Sequence, residues 1–288
     1  MISMKAPAKL NLALEILGRR ADNYHSITTI MQTIDLCDEI SFEQADFLTL
    51  NCDVADLQSN DNMVMKAGRL LQQKCRYSGG ATINLKKNIY WEAGLGGGSS
   101  DAAVALIGLN QLWNLGCSKA ELIKWSADLG SDVPFFLEGG TCLATSRGEI
   151  ITRLPDIQPV WFVLLVPWVK PPPEKTATLY KMISKELYTD GRFTADIRAM
   201  IEAGEVLGGR HTVNAFDAVA FTAYPGLESY WKIFKNVGAG SIHLAGSGPV
   251  TYTLLTDRDQ AEALTAELKN LKLRALLVSP LPRDALGY

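Results

Sequence analysis

Four glycines in five positions, Gly94, Gly96, Gly97 and Gly98, stand directly ahead of Ser99, Ser100 and Asp101. Glycine gives up more backbone entropy on folding than any other residue, so the run suits neither a strand nor a helix interior. It suits a loop whose N–H groups converge on an anion with no side chain in the way. Ala102, Ala105, Leu106, Leu109, Leu112 and Trp113 then recur at helical spacing. A glycine loop that runs into a helix puts free N–H groups and the positive end of the helix dipole on one spot, which favours a phosphate. The segment Gly94-Leu95-Gly96-Gly97-Gly98-Ser99-Ser100 is therefore read as a phosphate loop. It belongs to neither common nucleotide pattern. A P-loop needs a lysine after its last glycine, and none lies between Asn88 and Lys119. A dinucleotide loop needs glycine at its sixth place, which counted from Gly94 is Ser99.

Four other places carry groups with chemical potential. Asp132 stands between a helix-ending glycine, Gly130, and the apolar run Val133-Pro134-Phe135-Phe136. Such surroundings perturb a carboxylate unless a cation faces it. A helix N-cap is the plainer use of the same residue. Lys9, in Ala6-Pro7-Ala8-Lys9-Leu10-Asn11-Leu12, is an isolated cation at the start of a strand, and taken alone an ordinary exposed lysine. Tyr24-His25 follows a polar turn and offers either a stacking surface or loop packing. Gly246-Ser247-Gly248 is a second small-residue turn, by itself a hairpin apex.

The elements that must position these residues follow from the same sequence. Strands are expected over 10–17, 31–42, 47–52, 81–85 and 161–166, with a last one at 275–278. Helices are expected over 62–73, after the glycine loop, from a Ser118/Glu121 capping box to Gly130, and over 176–187, 195–203 and 215–223. A hairpin turns at Gly246-Ser247-Gly248-Pro249, and Asp257 caps a helix that runs to Leu268. Strands come in runs rather than in strict alternation with helices, which points to an α+β chain with two lobes. The division is expected between Leu154 and Val160, giving lobes 1–155 and 156–288.

Composition narrows the function. At 288 residues and 47% hydrophobic, the chain can bury a substantial core. With 28 basic against 31 acidic residues and no basic run, a nucleic-acid partner is not expected. The five cysteines are scattered with no C-x-x-C pair, and read as reduced thiols rather than a zinc site. No charged segment followed by an apolar run opens the chain, and Val160–Val169 is too short to span a bilayer. The expectation is a cytoplasmic protein, monomer or homodimer, with no membrane partner.

Lys9-Leu10-Asn11, the loop 94–101, Asp132-Val133-Pro134 and Ala245-Gly246-Ser247-Gly248-Pro249 match in order and spacing the motifs of the GHMP kinase superfamily. The chain resembles that superfamily over nearly its whole length. PAKLNLALEILGRRADNYHSI at 7–27, AGLGGGSSDAA at 93–103, LGSDVPFFLEGG at 129–140 and LAGSGPV at 244–250 carry the likeness. PAKLNL together with GRRADNYH narrows it to a branch acting on a cytidine-diphosphate substrate of the non-mevalonate isoprenoid route. The resemblance implies a two-lobed fold, with an N-terminal lobe like ribosomal protein S5 domain 2 and an α/β-plait-like C-terminal lobe. It also implies ATP-dependent phosphorylation of the 2-hydroxyl of the methylerythritol moiety. On that reading ATP and Mg²⁺ are the cofactors, and Asp132 accepts the hydroxyl proton. Lys9 keeps Asp132 ionised and positions the hydroxyl.

The glycine loop then holds the ATP phosphates, the hydroxyls of Ser99 or Ser100 touch phosphate or Mg²⁺, and Asn62 touches adenine. Asn11 lies by the methylerythritol, and Gly246 and Ser247 line the substrate. Tyr24 and Tyr180 sandwich the cytosine with His25 at its edge, and Thr176 falls one turn before Tyr180 on the same helix face. One stretch departs from the pattern. The family enters its glycine loop through a lead such as Ile-Pro-x-Gly, and this chain has Ile89-Tyr90-Trp91-Glu92. Two alternatives stay open: another GHMP kinase of homoserine or mevalonate type, and a non-catalytic ligand-binding regulator. Retention of both Lys9 and Asp132 argues against the second.

Overall fold

The two longest hydrophobic alternations of the chain become its two longest strands. The computed structural model describes residues 1–287. Its first half runs β1 (Ile2–Arg19), β2 (His25–Ala45), β3 (Thr49–Cys52), α1 (Met63–Cys75), β4 (Gly80–Lys86), α2 (Gly97–Leu112), α3 (Lys119–Ser126), α4 (Val133–Glu138), β5 (Thr141–Ser146) and β6 (Ile150–Arg153). The second half runs β7 (Trp161–Val166), α5 (Lys175–Met182), α6 (Arg192–Glu202), β8 (Val213–Asn214), α7 (Ala220–Ala223), α8 (Leu227–Asn236), β9 (His243–Leu244), β10 (Thr251–Leu255), α9 (Arg258–Asn270) and β11 (Arg274–Val278).

β1 and β2 pair antiparallel over nearly their full length. The far edge of β2 is shared, with β5 on Ile27–Gln32 and β4 on Glu39–Ala45. β3 lies outside β4 in parallel, β6 outside β5, and β8 pairs in parallel with Ala13 and Leu14 of β1. α1, α2 and α4 cover one face of this sheet around Phe42, Ile83, Leu106, Leu109 and Phe135, all fully buried. The second sheet, in the order β11-β7-β10-β9, is antiparallel throughout. α8 and α9 pack on one face of it around Val163, Leu165, Phe234 and Leu268. Its other face sends Phe162, Leu164 and Tyr252 against Leu10 and Leu12 of β1. Covered from both sides, β1 is buried without interruption from Ala6 to Ile16.

After β11 the chain returns to the first sheet. Asp35 N–H donates to the Ser279 carbonyl (3.1 Å) and Leu281 N–H to the Thr33 carbonyl (2.8 Å). These bonds fill the stretch of β2 left open between β4 and β5. Among the described residues no helix is long and apolar enough to cross a membrane.

The expected strands over 10–17, 31–42, 81–85 and 161–166 are all present, the first three of them longer than expected. Ser118 and Glu121 cap α3 reciprocally, and the Asp257 carboxylate accepts Gln260 N–H (2.8 Å) at the start of α9. The sequence reading missed β5, β6, β8 and α8. The helix expected over 215–223 is a 3₁₀ turn, residues 215–219, followed by the single turn α7. The scattered cysteines also include a spatial pair, with Cys75 and Cys117 Sγ atoms 3.3 Å apart.

α2 crosses β2 at Gly108, where an added Cβ would fall 2.4 Å from the buried Phe42 ring. Gly108→Ala therefore gains up to about 1 kcal/mol of helix propensity but meets an overpacking cost of about 1–3 kcal/mol. The expected net effect is a lower melting temperature by about 2–4 °C per kcal/mol lost, read by thermal unfolding. An unchanged or raised value would mean that α2 can slide away from the sheet.

Candidate active site

Strand alternation sends Lys9 and Asn11 to the same side of β1. Lys9 Nζ donates to Asn11 Oδ1 (2.5 Å), Asn11 Nδ2 to Thr29 Oγ1 (2.8 Å), and the Thr29 hydroxyl to the Ala13 carbonyl (2.5 Å). This chain of bonds fixes an ammonium whose side chain is 6% exposed. Asp132 Oδ2 faces it at 3.8 Å. Burial pushes the Lys9 pKa below the ordinary lysine value, and Asp132 pulls the other way. Asp132 occupies the N-cap position of α4, yet its side chain accepts no capping hydrogen bond. Its carboxylate instead turns to the lysine and stays 37% exposed.

Gly96, at φ +75°, is the N-cap of α2, and the first helical bond runs from Ser100 N–H to the Gly96 carbonyl (2.9 Å). The N–H groups of Gly97, Gly98 and Ser99 thus open the helix without intrahelical acceptors. Leu95 is buried in the core, and its carbonyl accepts Lys9 N–H (2.9 Å), which pins the loop to β1. The turn between β9 and β10 packs on the loop from the other side. A Cβ at Gly94 would lie 1.8 Å from the Ala245 carbonyl oxygen, and one at Gly248 2.0 Å from the Ala93 backbone. Only glycine permits so close an approach. At Gly246, φ +55°, a Cβ would come within 2.9 Å of Lys9 Nζ. Asn214 Nδ2 donates to the carbonyls of Leu244 (2.9 Å) and Gly246 (2.8 Å), and the Tyr224 hydroxyl donates to the Ser247 carbonyl.

The glycine loop, Lys9 and Asp132 line one cleft of about 530 Å³. Asn62 and its neighbours form one wall, Tyr90 to Glu92 another, and Lys175, Thr176 and Ser247 stand at its edge. Lys87 and Asp101 also line it: Lys87 Nζ sits between Asp38 and Asp101, 2.7 Å from Asp101 Oδ2. Burial pushes Asp101 up to about 7, with Lys87 opposing. Asp101 Oδ1 and the Ser100 hydroxyl are buried with no hydrogen-bond partner. A larger hollow of about 1160 Å³ lies at the start of β1, away from the glycine loop and from the Lys9–Asp132 pair.

The profile of the GHMP kinases N terminal domain matches residues 62–140, and that of the GHMP kinases C terminal domain matches 195–272. The chain belongs to the GHMP kinase family. A relative of this GHMP kinase in Dehalococcoides mccartyi, named 4-diphosphocytidyl-2-C-methyl-D-erythritol kinase, is 41% identical over 98% of this chain and 99% of its own. A crystal structure of 4-(cytidine 5'-diphospho)-2C-methyl-D-erythritol kinase superposes with TM-score 0.81 at 29% identity, covering 96% of this chain and 98% of that one. The homoserine kinase of Cytophaga hutchinsonii superposes with TM-score 0.76 at 17% identity over 99% and 96%, a likeness of fold.

Within this GHMP kinase several residues stand differently from the sequence reading. Tyr24 and Tyr180 make no direct ring contact among the described residues. His25 stacks on Tyr180, ring centroids 4.9 Å apart and 13° from parallel, while Arg147 lies over the exposed Tyr24 ring at 4.9 Å. His25 thus lies flat on Tyr180 rather than at the edge of a base, and the Tyr24 ring carries a cation from the β5–β6 turn. Burial holds the His25 imidazole below its usual pKa, and Arg19 adds to the effect. Asn62 lines the cleft, but its amide is committed at both ends, accepting from Val64 N–H (2.9 Å) and donating to the Leu57 carbonyl (2.8 Å). Of the two serines, Ser99 lines the cleft and Ser100 is fully buried behind it. Thr176 does meet the second glycine turn, its hydroxyl 2.9 Å from that of Ser247. Lys87, Asp38 and Lys175 escaped the sequence reading, since nothing in the spacing of Asp38 and Lys87 announces that they meet, and Asp101 entered it only as the end of the glycine loop.

The contact between the two glycine turns yields a direct test. Gly248→Ala should lose measurable ATP binding by calorimetry and lower the melting temperature, because the added carbon has backbone, not a flexible side chain, in its path. Gly240→Ala, with nothing within 4 Å of its added carbon, should match the unsubstituted protein. Equal behaviour of the two variants would mean that the turns can part at no cost.

Proposed function

We propose that this GHMP kinase transfers the γ-phosphoryl group of ATP to the 2-hydroxyl of 4-diphosphocytidyl-2-C-methyl-D-erythritol. The observation that carries the reading is the Lys9–Asp132 pair facing the glycine loop inside one cleft, beside the His25–Tyr180 stack. Phosphoryl transfer asks for positioning and charge stabilisation more than for covalent chemistry. The first-turn N–H groups of α2 supply fixed donors to the phosphates. Asp132 takes the hydroxyl proton as the oxygen bonds to the γ-phosphorus and the bond to ADP breaks, and the proton then leaves to solvent. Lys9, held by Asn11 and pressed by burial, keeps Asp132 ionised and donates a hydrogen bond toward the acceptor oxygen.

Of the two serines read as contacts for phosphate or Mg²⁺, Ser99 is the one whose hydroxyl lines the cleft, and it is the hard oxygen donor that would meet an ion held by the ATP phosphates. Bound there, the ion would neutralise phosphate charge. His25 and Tyr180 offer flat faces to a cytosine, with Tyr24 the further aromatic ring proposed to flank it. We place the enzyme in the cytoplasm, where ATP is available to it.

The test is a coupled ADP-release assay with ATP, Mg²⁺ and the cytidylyl substrate, run beside homoserine and mevalonate. Turnover is expected with the first acceptor alone, and turnover of homoserine instead would overturn the reading. Asp132→Asn should lower kcat at least ~10²-fold while leaving ATP affinity largely intact. Near-normal turnover by that variant would remove Asp132 from its role. His25→Ala should raise the KM of the cytidylyl substrate about tenfold, within the roughly 1–3 kcal/mol of base–aromatic stacking, with the KM of ATP unchanged.

A further inference from the structure

A second lysine reaches the cleft from the other half of the chain. Lys175 opens α5, half-buried, and lines the cleft with Asp132 and Gly94. Its Nζ donates to the Glu92 carbonyl (2.9 Å), and among the described residues it forms no ion pair. Both sides of that contact are in the left-handed region, Glu92 at φ +54° and Glu174, just before the lysine, at φ +45°. Neither residue is a glycine, so local preference opposes the geometry that brings them together. Burial and the neighbouring Lys9 push Lys175 down to about 8, with Glu92 and Asp132 opposing. Two ammonium groups therefore converge on a cleft where Asp132 is the single carboxylate in contact with either. The glycine loop adds the positive end of α2 to the same space.

Carboxylates also line the cleft at Asp56, Asp61, Glu92 and Asp101. Lys9 and Lys175 nevertheless have only Asp132 at ion-pair range between them. Two such under-paired ammonium groups beside the first turn of α2 suit an anion with several oxygens. We propose that Lys175 is a phosphate-binding cation of this site, carried in on α5 to touch a phosphoryl oxygen beside Asp132. The proposal rests on the kinase reading above. Two phosphate sources can meet it: the transferring group of ATP and the diphosphate of the cytidylyl substrate. Lys175 stands between the glycine loop and Tyr180, which lies five residues on in the same helix.

The alternative is a strut that only ties α5 to Glu92, and three substitutions separate the two. Lys175→Gln keeps an N–H donor for the Glu92 carbonyl and removes the charge; Lys175→Met removes both; Lys175→Arg keeps both. Met and Gln variants should each lose about 10- to 100-fold in kcat/KM, the scale of a lost charged contact to a phosphoryl group, and Arg should stay within about fivefold of the unsubstituted enzyme. A fall in kcat with both KM values unchanged assigns Lys175 to the transferring group. A raised KM for the cytidylyl substrate alone assigns it to that diphosphate. Full activity in Lys175→Gln, or all three variants within threefold of the unsubstituted enzyme, overturns the proposal. Should the unsubstituted enzyme fail to phosphorylate the cytidylyl acceptor, the kinase reading falls separately. Lys175 is then judged by calorimetry, and unchanged affinity of Lys175→Gln for both ATP and CDP overturns it.

Discussion

The peptide at Ala93–Gly94 lies directly on the peptide at Ala245–Gly248, and the cleft exists because of that contact. One turn comes from the first half of the chain and the other from the second, and any side chain at Gly94 or Gly248 would drive them apart. The glycine loop is thereby fixed on three sides: by α2, of which Gly96 is the N-cap, by β1 through Leu95, and by the β9–β10 turn. A phosphate loop needs that rigidity, because donors that must reorganise around charge stabilise it less than donors already in place. Lys9 lies under the junction, within reach of both turns.

Electrostatics in the cleft follows from burial more than from the number of charges. Among five carboxylates, the cleft gathers three lysines, Lys9, Lys87 and Lys175. Each is treated differently. Lys87 is held by Asp38 and Asp101, and these carboxylates raise its pKa against the effect of burial. Lys9 has one carboxylate at 3.8 Å and a neutral amide at 2.5 Å, and burial prevails. Lys175 has a carbonyl. The more weakly an ammonium is paired within the protein, the more it gains from an arriving anion.

Much of this was legible in the sequence, for a physical reason. The phosphate loop, its helix, the capping box at Ser118 and the hairpin at Gly246 are local features, fixed by backbone freedom and spacing within a dozen residues. Lys9 and Asp132 became readable as a pair only through the order of motifs along the whole chain. What was missed depends on contacts distant in sequence. Asp38 and Lys87 are 49 residues apart and meet across the first sheet. The contact of Arg147, on the β5–β6 turn, with the Tyr24 ring likewise joins residues 123 positions apart. β5 and β6 are short, whereas α8 was overlooked although Leu227, Tyr230, Trp231 and Phe234 recur at i, i+3, i+4 and i+7.

The path of the chain after β11 bears on the order in which the molecule is made. The stretch of β2 around Thr33 to Asp35 has its hydrogen bonds completed by residues 279–281, and the outer edge of β1 by β8. A nascent chain whose first 155 residues have left the ribosome therefore has neither partner. Leu10 and Leu12 face water until the second sheet arrives to cover them. Contacts of such long sequence separation form slowly, and the exposed apolar strip is the kind of surface that chaperones hold. The glycine loop can take shape early, on α2 and β1, whereas the cleft it serves closes only when almost the whole chain is available. Nucleotide binding competence is thus a late product of synthesis, even though the residues that hold the phosphates are translated in the first third.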